Sequence, residues 1–135
     1  RKMSKSYNNI IPIFDQPKKI RKSVMRIITD TTDIDSPKDK NTTLYKLFSI
    51  FLDKDEQELL SQRYDLKGLR YGDIKLELFE KIMDYFKPYR ERKEYYLSHP
   101  KEVEEILIFG AKKASIIAEE VLSRVRSVTG INYKL

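Results

Sequence analysis

The chain has 135 residues, with 27 Lys/Arg against 21 Asp/Glu, a formal net charge of +6, 40% apolar residues and no cysteine. That length implies one domain or one piece of a larger protein, with enough apolar side chains for a real core. The missing cysteines exclude a disulfide framework and thiolate metal sites, and the single histidine, His99, excludes histidine triads and clusters.

No apolar run approaches the roughly 20 residues of a spanning helix, so a soluble protein of a reducing compartment is expected, without a membrane partner. The charge is uneven. Residues 1–30 hold eight basic and two acidic side chains, whereas residues 31–135 hold 19 of each. The chain begins at Arg1 in a stretch that reads as mid-protein, and is taken as a piece of a longer one.

In chain order, residues 1–14 form a polar loop and a short apolar connector, Ile10-Ile11-Pro12-Ile13-Phe14. A first helix is predicted from Asp15 as N-cap, with Pro17 in its first turn. Ile20, Val24, Ile27 and Ile28 then supply a buried stripe, and Lys18, Lys19, Lys22 and Arg26 the opposite side. Residues 29–42, rich in Asp, Thr, Ser, Lys and Pro, read as a solvated loop. A second helix over Thr43–Leu52 buries Leu44, Leu47, Phe48 and Phe51. Asp53 and Glu56 resemble a capping box for a third, in which Leu59, Leu60 and Tyr64 face inward before Gly68.

From Gly72-Asp73 a long helix runs to Leu97 with Ile74, Leu78, Ile82, Phe86 and Tyr89 aligned, and Pro88 predicts a kink near 84–88. After Ser98 and Pro100 a final helix carries a stripe from Val103 to Val128 and closes at Gly130. No strand pattern is convincing. The expected fold class is all-α, a bundle of about five helices, with residues 1–14 a separate connector and residues 15–135 the helical domain.

Chemistry concentrates in Lys2-Met3-Ser4-Lys5-Ser6. Two lysines three apart on a small, polar segment can place two ammonium groups on one polyphosphate, with Ser4 and Ser6 as further donors. By composition alone such a terminus is a solvated tail. As an exact string it is the signature loop of class I aminoacyl-tRNA synthetases. Its continuation Tyr7-Asn8-Asn9-Ile10-Ile11-Pro12-Ile13 resembles the bacterial tryptophanyl-tRNA synthetase family. So do Lys19-Ile20-Arg21-Lys22, Leu44-Tyr45-Lys46-Leu47-Phe48, Tyr71-Gly72-Asp73-Ile74-Lys75, Pro88-Tyr89-Arg90-Glu91-Arg92 and Gly110-Ala111-Lys112-Lys113-Ala114, in family order.

The resemblance implies an enzyme of the cytoplasm that activates tryptophan with ATP and Mg²⁺ and charges tRNA(Trp). Lys2 and Lys5 would be its catalytic cations, and Lys2, Met3, Ser4, Lys5 and Ser6 its ATP-phosphate loop. Residues 15–135 would be the anticodon-binding domain. The family's other signature and its nucleotide-binding strands are not in this sequence, so these residues alone are expected to be inactive and to hold neither ATP nor Mg²⁺. No DNA partner or protein-held metal is expected, and family dimerisation would reside in the missing domain. The alternatives are a free-standing helical RNA-binding module, a relative of the tyrosine enzyme, or a plain interaction bundle.

For tRNA, Lys18, Lys19, Lys22 and Arg26 could track phosphates or form an ordinary solvated face; no acidic partner lies at helical spacing between Asp15 and Asp30. Arg90 and Arg92 are further candidates. Tyr85, Tyr89, Tyr95 and Tyr96 could stack on unpaired bases or pack inward. The carboxylates Asp30, Asp33, Asp35 and Asp39 lack the glycine and terminal glutamate of a calcium loop, and His99 reads as a helix-start residue.

Overall fold

The computed structural model describes residues 3–4, 6–7 and 9–131. Among them there are six helices and no strand: α1 Pro17–Met25, α2 Thr43–Ser49, α3 Lys54–Asp65, α4 Tyr71–Tyr85, α5 Lys87–Ser98 and α6 Pro100–Thr129. The all-α class stands. The sixth helix arises because the expected kink is a full break: Phe86 leaves helical geometry at φ −90°, ψ 1°, between α4 and α5. Pro88 then sits in the first turn of α5, where a missing N–H costs no helical bond.

The chain divides into two compact units, Arg1–Arg90 and Glu91–Leu135. In the first, Ile20 and Val24 of α1, Leu44 and Phe48 of α2, Leu60 and Tyr64 of α3, Leu69, and Ile74, Leu78 and Ile82 of α4 form one core. α1 packs along α4, and Lys75 Nζ of α4 donates to the Met25 carbonyl at the end of α1 (3.3 Å). That satisfies a helix-terminal acceptor that would otherwise need water. Partial burial lowers the Lys75 pKa.

Local chemistry sets the helix boundaries. The capping box at the start of α3 is present in both directions: Glu56 N–H donates to Asp53 Oδ1 (2.8 Å), and Asp53 N–H to Glu56 Oε2 (3.2 Å). Gln16 caps α1 by backbone position, not Asp15, because Pro17 takes the first helical position. Asp15 instead accepts from Gln16 N–H at 2.8 Å and from Lys19 Nζ at 3.1 Å.

Four expected burials fail. Leu59 is 60% exposed and Ile28 is 88% exposed. The first lies on the open rim of the cleft between α3 and α4, and the second follows the end of α1 at Met25. Tyr89 is 50% exposed because the break at Phe86 shifts the helical phase. No residue of α6 is buried, and its stripe residues Ile106, Leu107, Ile117, Val121, Val125 and Val128 are exposed.

In the second unit, Tyr95 OH donates to Glu102 Oε2 (2.8 Å). His99 stacks on Tyr95 with ring centroids 4.2 Å apart, and starts α6 as its N-cap. Gly130, at φ +71°, terminates α6 in the left-handed conformation that glycine adopts without strain.

Candidate functional site

Of the phosphate-loop residues, Met3, Ser4 and Ser6 are described; Lys2 and Lys5 lie outside the described residues. The loop folds on itself through its hydroxyls. Ser4 N–H donates to Asn9 Oδ1 (2.8 Å), Ser4 Oγ and Ser6 Oγ are 2.8 Å apart, and Tyr7 N–H donates to Ser4 Oγ (3.3 Å). Met3 is exposed, as are Ser6 and Tyr7. Ile11 and Ile13 pack against the core, and Asp15 N–H donates to the Pro12 carbonyl (2.8 Å). A short anchored connector thus carries a small, hydroxyl-rich loop held by its own hydrogen bonds.

On α1, Lys18, Lys19 and Lys22 are exposed opposite the buried Ile20 and Val24, and Arg26 is exposed at the C-cap. The acid-free face is interrupted at one place by the Lys19–Asp15 ion pair. Arg90 turns inward: it is half-buried, its Nη2 donates to the Met83 carbonyl, and its buried Nη1 has no hydrogen-bond partner among the described residues. Arg92 is exposed, in the second unit.

The loop at 29–42 is not simply solvated. Lys38 is 5% exposed. Its Nζ donates to the Thr32 carbonyl (2.8 Å) and to the Asp33 carbonyl, and lies 5.3 Å from the centroid of the Tyr71 ring. Its own N–H donates to the Tyr64 carbonyl (2.7 Å), while Gly68 N–H donates to the Ile34 carbonyl (2.7 Å). Tyr71 OH closes the loop onto Asp30, at 2.9 and 3.0 Å from its two oxygens. Hydrogen bonds from Thr32 hold the Asp30 carboxyl below its usual range. Burial, and then the Asp30 carboxylate, push the Tyr71 phenol up to about 12. Sequence offers no signal that separates Lys38 from its solvated neighbours, because its burial depends on Tyr64 and Tyr71, both more than 25 positions away.

Aromatic residues gather at the end of α4. Tyr85 and Tyr89 are 58% and 50% exposed, with rings 28° from parallel and centroids 6.3 Å apart. Phe51 meets Tyr85 edge-on at 5.6 Å, and Phe86 meets it at 5.0 Å. Between α3 and α4 lies a cleft of about 300 Å³. Its charged groups are largely spent on each other: Arg63 binds Glu77 through two 2.7 Å bonds, and Lys81 binds Glu56. Among the described residues no group of three or more carboxylate, imidazole or thiol side chains converges as a metal site.

No protein-family profile matches the chain. It is 40% identical over 131 residues to the tryptophan–tRNA ligase of Campylobacter jejuni, a match covering 96% of this chain and 41% of that protein. The ligase of Rhodopirellula baltica is likewise 40% identical over 132 residues, covering 97% and 41% respectively. A crystal structure of the Campylobacter jejuni tryptophanyl-tRNA synthetase superposes with a TM-score of 0.88, covering 96% of this chain and 42% of that one. Over nearly its whole length this chain is similar to tryptophanyl-tRNA synthetases. It spans about two fifths of the length of those synthetases. A further solved structure of the Campylobacter jejuni synthetase is a complex with ADP and tryptophan. No helix among the described residues is long and apolar enough to cross a membrane.

Proposed function

We propose that this chain works as part of a tryptophan–tRNA ligase, with residues 1–14 serving ATP and residues 15–135 serving tRNA(Trp). The observation that carries this reading is the 40% identity across 96% of the chain, shared with a solved synthetase of the same fold. The phosphate-loop string Lys2–Ser6 supports the nucleotide half. The exposed cations of α1 support the RNA half.

In this reading, Lys2 and Lys5 bring ammonium groups to the ATP phosphates, and the paired Ser4 and Ser6 hydroxyls donate beside them. Negative charge builds on pyrophosphate as it departs from the α-phosphate. Cations that meet it more closely in the transition state than in the ground state lower the barrier. Tryptophan then passes to tRNA. ATP is used with Mg²⁺, for which this chain contributes no assigned ligand. The tryptophan pocket and the family dimer contact are assigned to the portion of the ligase beyond these residues, and the enzyme to the cytoplasm.

Pyrophosphate exchange by the ligase that carries this chain tests the nucleotide half. Lys2→Ala or Lys5→Ala should slow exchange by roughly 100-fold or more, the scale for removing one transition-state donor. Both variants should leave tryptophan affinity near that of the parent. Exchange at the parental rate in both variants would reject the assignment.

A further inference from the structure

We infer that Tyr85 and Tyr89 form a stacking platform for an unpaired nucleobase of bound RNA. The inference rests on the RNA-binding half of the reading above and adds a specific site to it. Two large rings half or more exposed cost free energy in water, yet here they are held in a fixed arrangement. Tyr85 and Tyr89 lie four positions apart across the break at Phe86, with rings 28° from parallel. Phe51 and Phe86 pack on the core and brace Tyr85 edge-on from two directions, at 5.6 and 5.0 Å. Phe86 also supports Tyr89, at 6.0 Å.

A braced pair loses little rotamer freedom when a planar ligand lands on it, which favours affinity. Every nucleobase has a π-face that can lie on such a surface. Charge favours RNA over an apolar peptide. The unit bearing the pair, Arg1–Arg90, holds 19 basic and 14 acidic side chains. Lys87, between the two tyrosines in sequence, is exposed and available to a phosphate. The stacking itself carries no base preference, so this site holds an unpaired base while other contacts read it.

The test uses the 135-residue chain and a stem-loop RNA with the tryptophan anticodon, carrying 2-aminopurine at successive loop positions. The parent chain should change the fluorescence of at least one position. Tyr85→Ala and Tyr89→Ala should abolish that change and weaken binding roughly 5- to 150-fold, the range for losing one stacked base. Tyr85→Phe and Tyr89→Phe keep the ring and should preserve both signal and affinity. Lys18→Ala should weaken binding while keeping the fluorescence change. Alanine variants that match the parent in helicity, affinity and signal would overturn the platform while leaving RNA binding intact. Phenylalanine variants as impaired as the alanine ones would also overturn it, by pointing to a hydroxyl contact. No binding by the parent chain would overturn the RNA reading itself.

Discussion

Replacing Lys38 with methionine tests whether the loop at 29–42 is organised by one buried cation. Methionine keeps most of the side-chain volume and removes the charge. The structure assigns three losses: the Nζ bonds to the Thr32 and Asp33 carbonyls and the contact with the Tyr71 ring at 5.3 Å. A hydrogen bond from a charged group contributes about 1.5–3 kcal/mol, and the ring contact adds about 0.5–1 kcal/mol. Thr32 and Asp33 are exposed, so their carbonyls can recover water. The lower part of the range therefore applies, about 3.5–5 kcal/mol in total for the two bonds and the ring contact. Urea unfolding followed by far-ultraviolet circular dichroism measures it. Lys40→Met is the comparison, because Lys40 is only partly buried and pairs with the exposed Asp65 at 2.6 Å; its loss should stay below about 1 kcal/mol. A Lys38→Met variant that loses no more than Lys40→Met would refute the reasoning.

Three further outcomes follow from the same geometry. Leu60→Ala should cost about 2–5 kcal/mol, whereas Leu59→Ala, at a side chain 60% exposed, should change stability by less than about 0.5 kcal/mol; equal losses in urea unfolding would contradict the register of α3. The Tyr71 phenol is raised from 10.0 to about 12 in the fold. The neutral form is thus favoured in the native state, and its contribution is whole below the unfolded pKa and lost as pH rises toward the folded one. Thermal stability should fall across that alkaline window, less steeply in Tyr71→Phe; identical profiles would contradict it. Asp30, held below its usual range, acts in the opposite direction, and its contribution is lost on acidification. For RNA binding, Lys18→Ala and Lys22→Ala should each reduce the slope of log affinity against log salt by about 0.7–0.9 if each meets one phosphate. An unchanged slope would remove α1 from the interface.

Sequence made the helical class legible because 3.6-residue patterns fill the chain and strand signals are lacking. The capping box at Asp53 was legible because its two residues act locally. Ile20, Val24, Leu44, Phe48, Leu60, Ile74, Leu78 and Ile82 were all readable as core. What failed depended on distance or on helical phase. The end of α1 at Met25 and the break at Phe86 decide whether Ile28 and Tyr89 are inside, and periodicity alone is blind to both. Lys38 is buried by partners brought from α3 and α4, so no local pattern marks it. The α6 stripe was visible as a pattern, but pattern shows only that a face is apolar, not that this chain covers it. For the site, the pentapeptide Lys2–Ser6 is a sequence signal for phosphate chemistry, and its two lysines lie outside the described residues. Arg90 shows the limit of reading cations by type, since its guanidinium is turned onto the Met83 carbonyl.

The central proposal is that residues 15–135 recognise the tRNA of a tryptophan–tRNA ligase. Titrating the chain with tRNA bearing the tryptophan anticodon, and with the same tRNA carrying a swapped anticodon, tests that claim most directly. The account predicts salt-sensitive binding of both and tighter binding of the first, since charge supplies general affinity and base contacts the discrimination. Equal affinity for the two would contradict recognition of the anticodon by this domain.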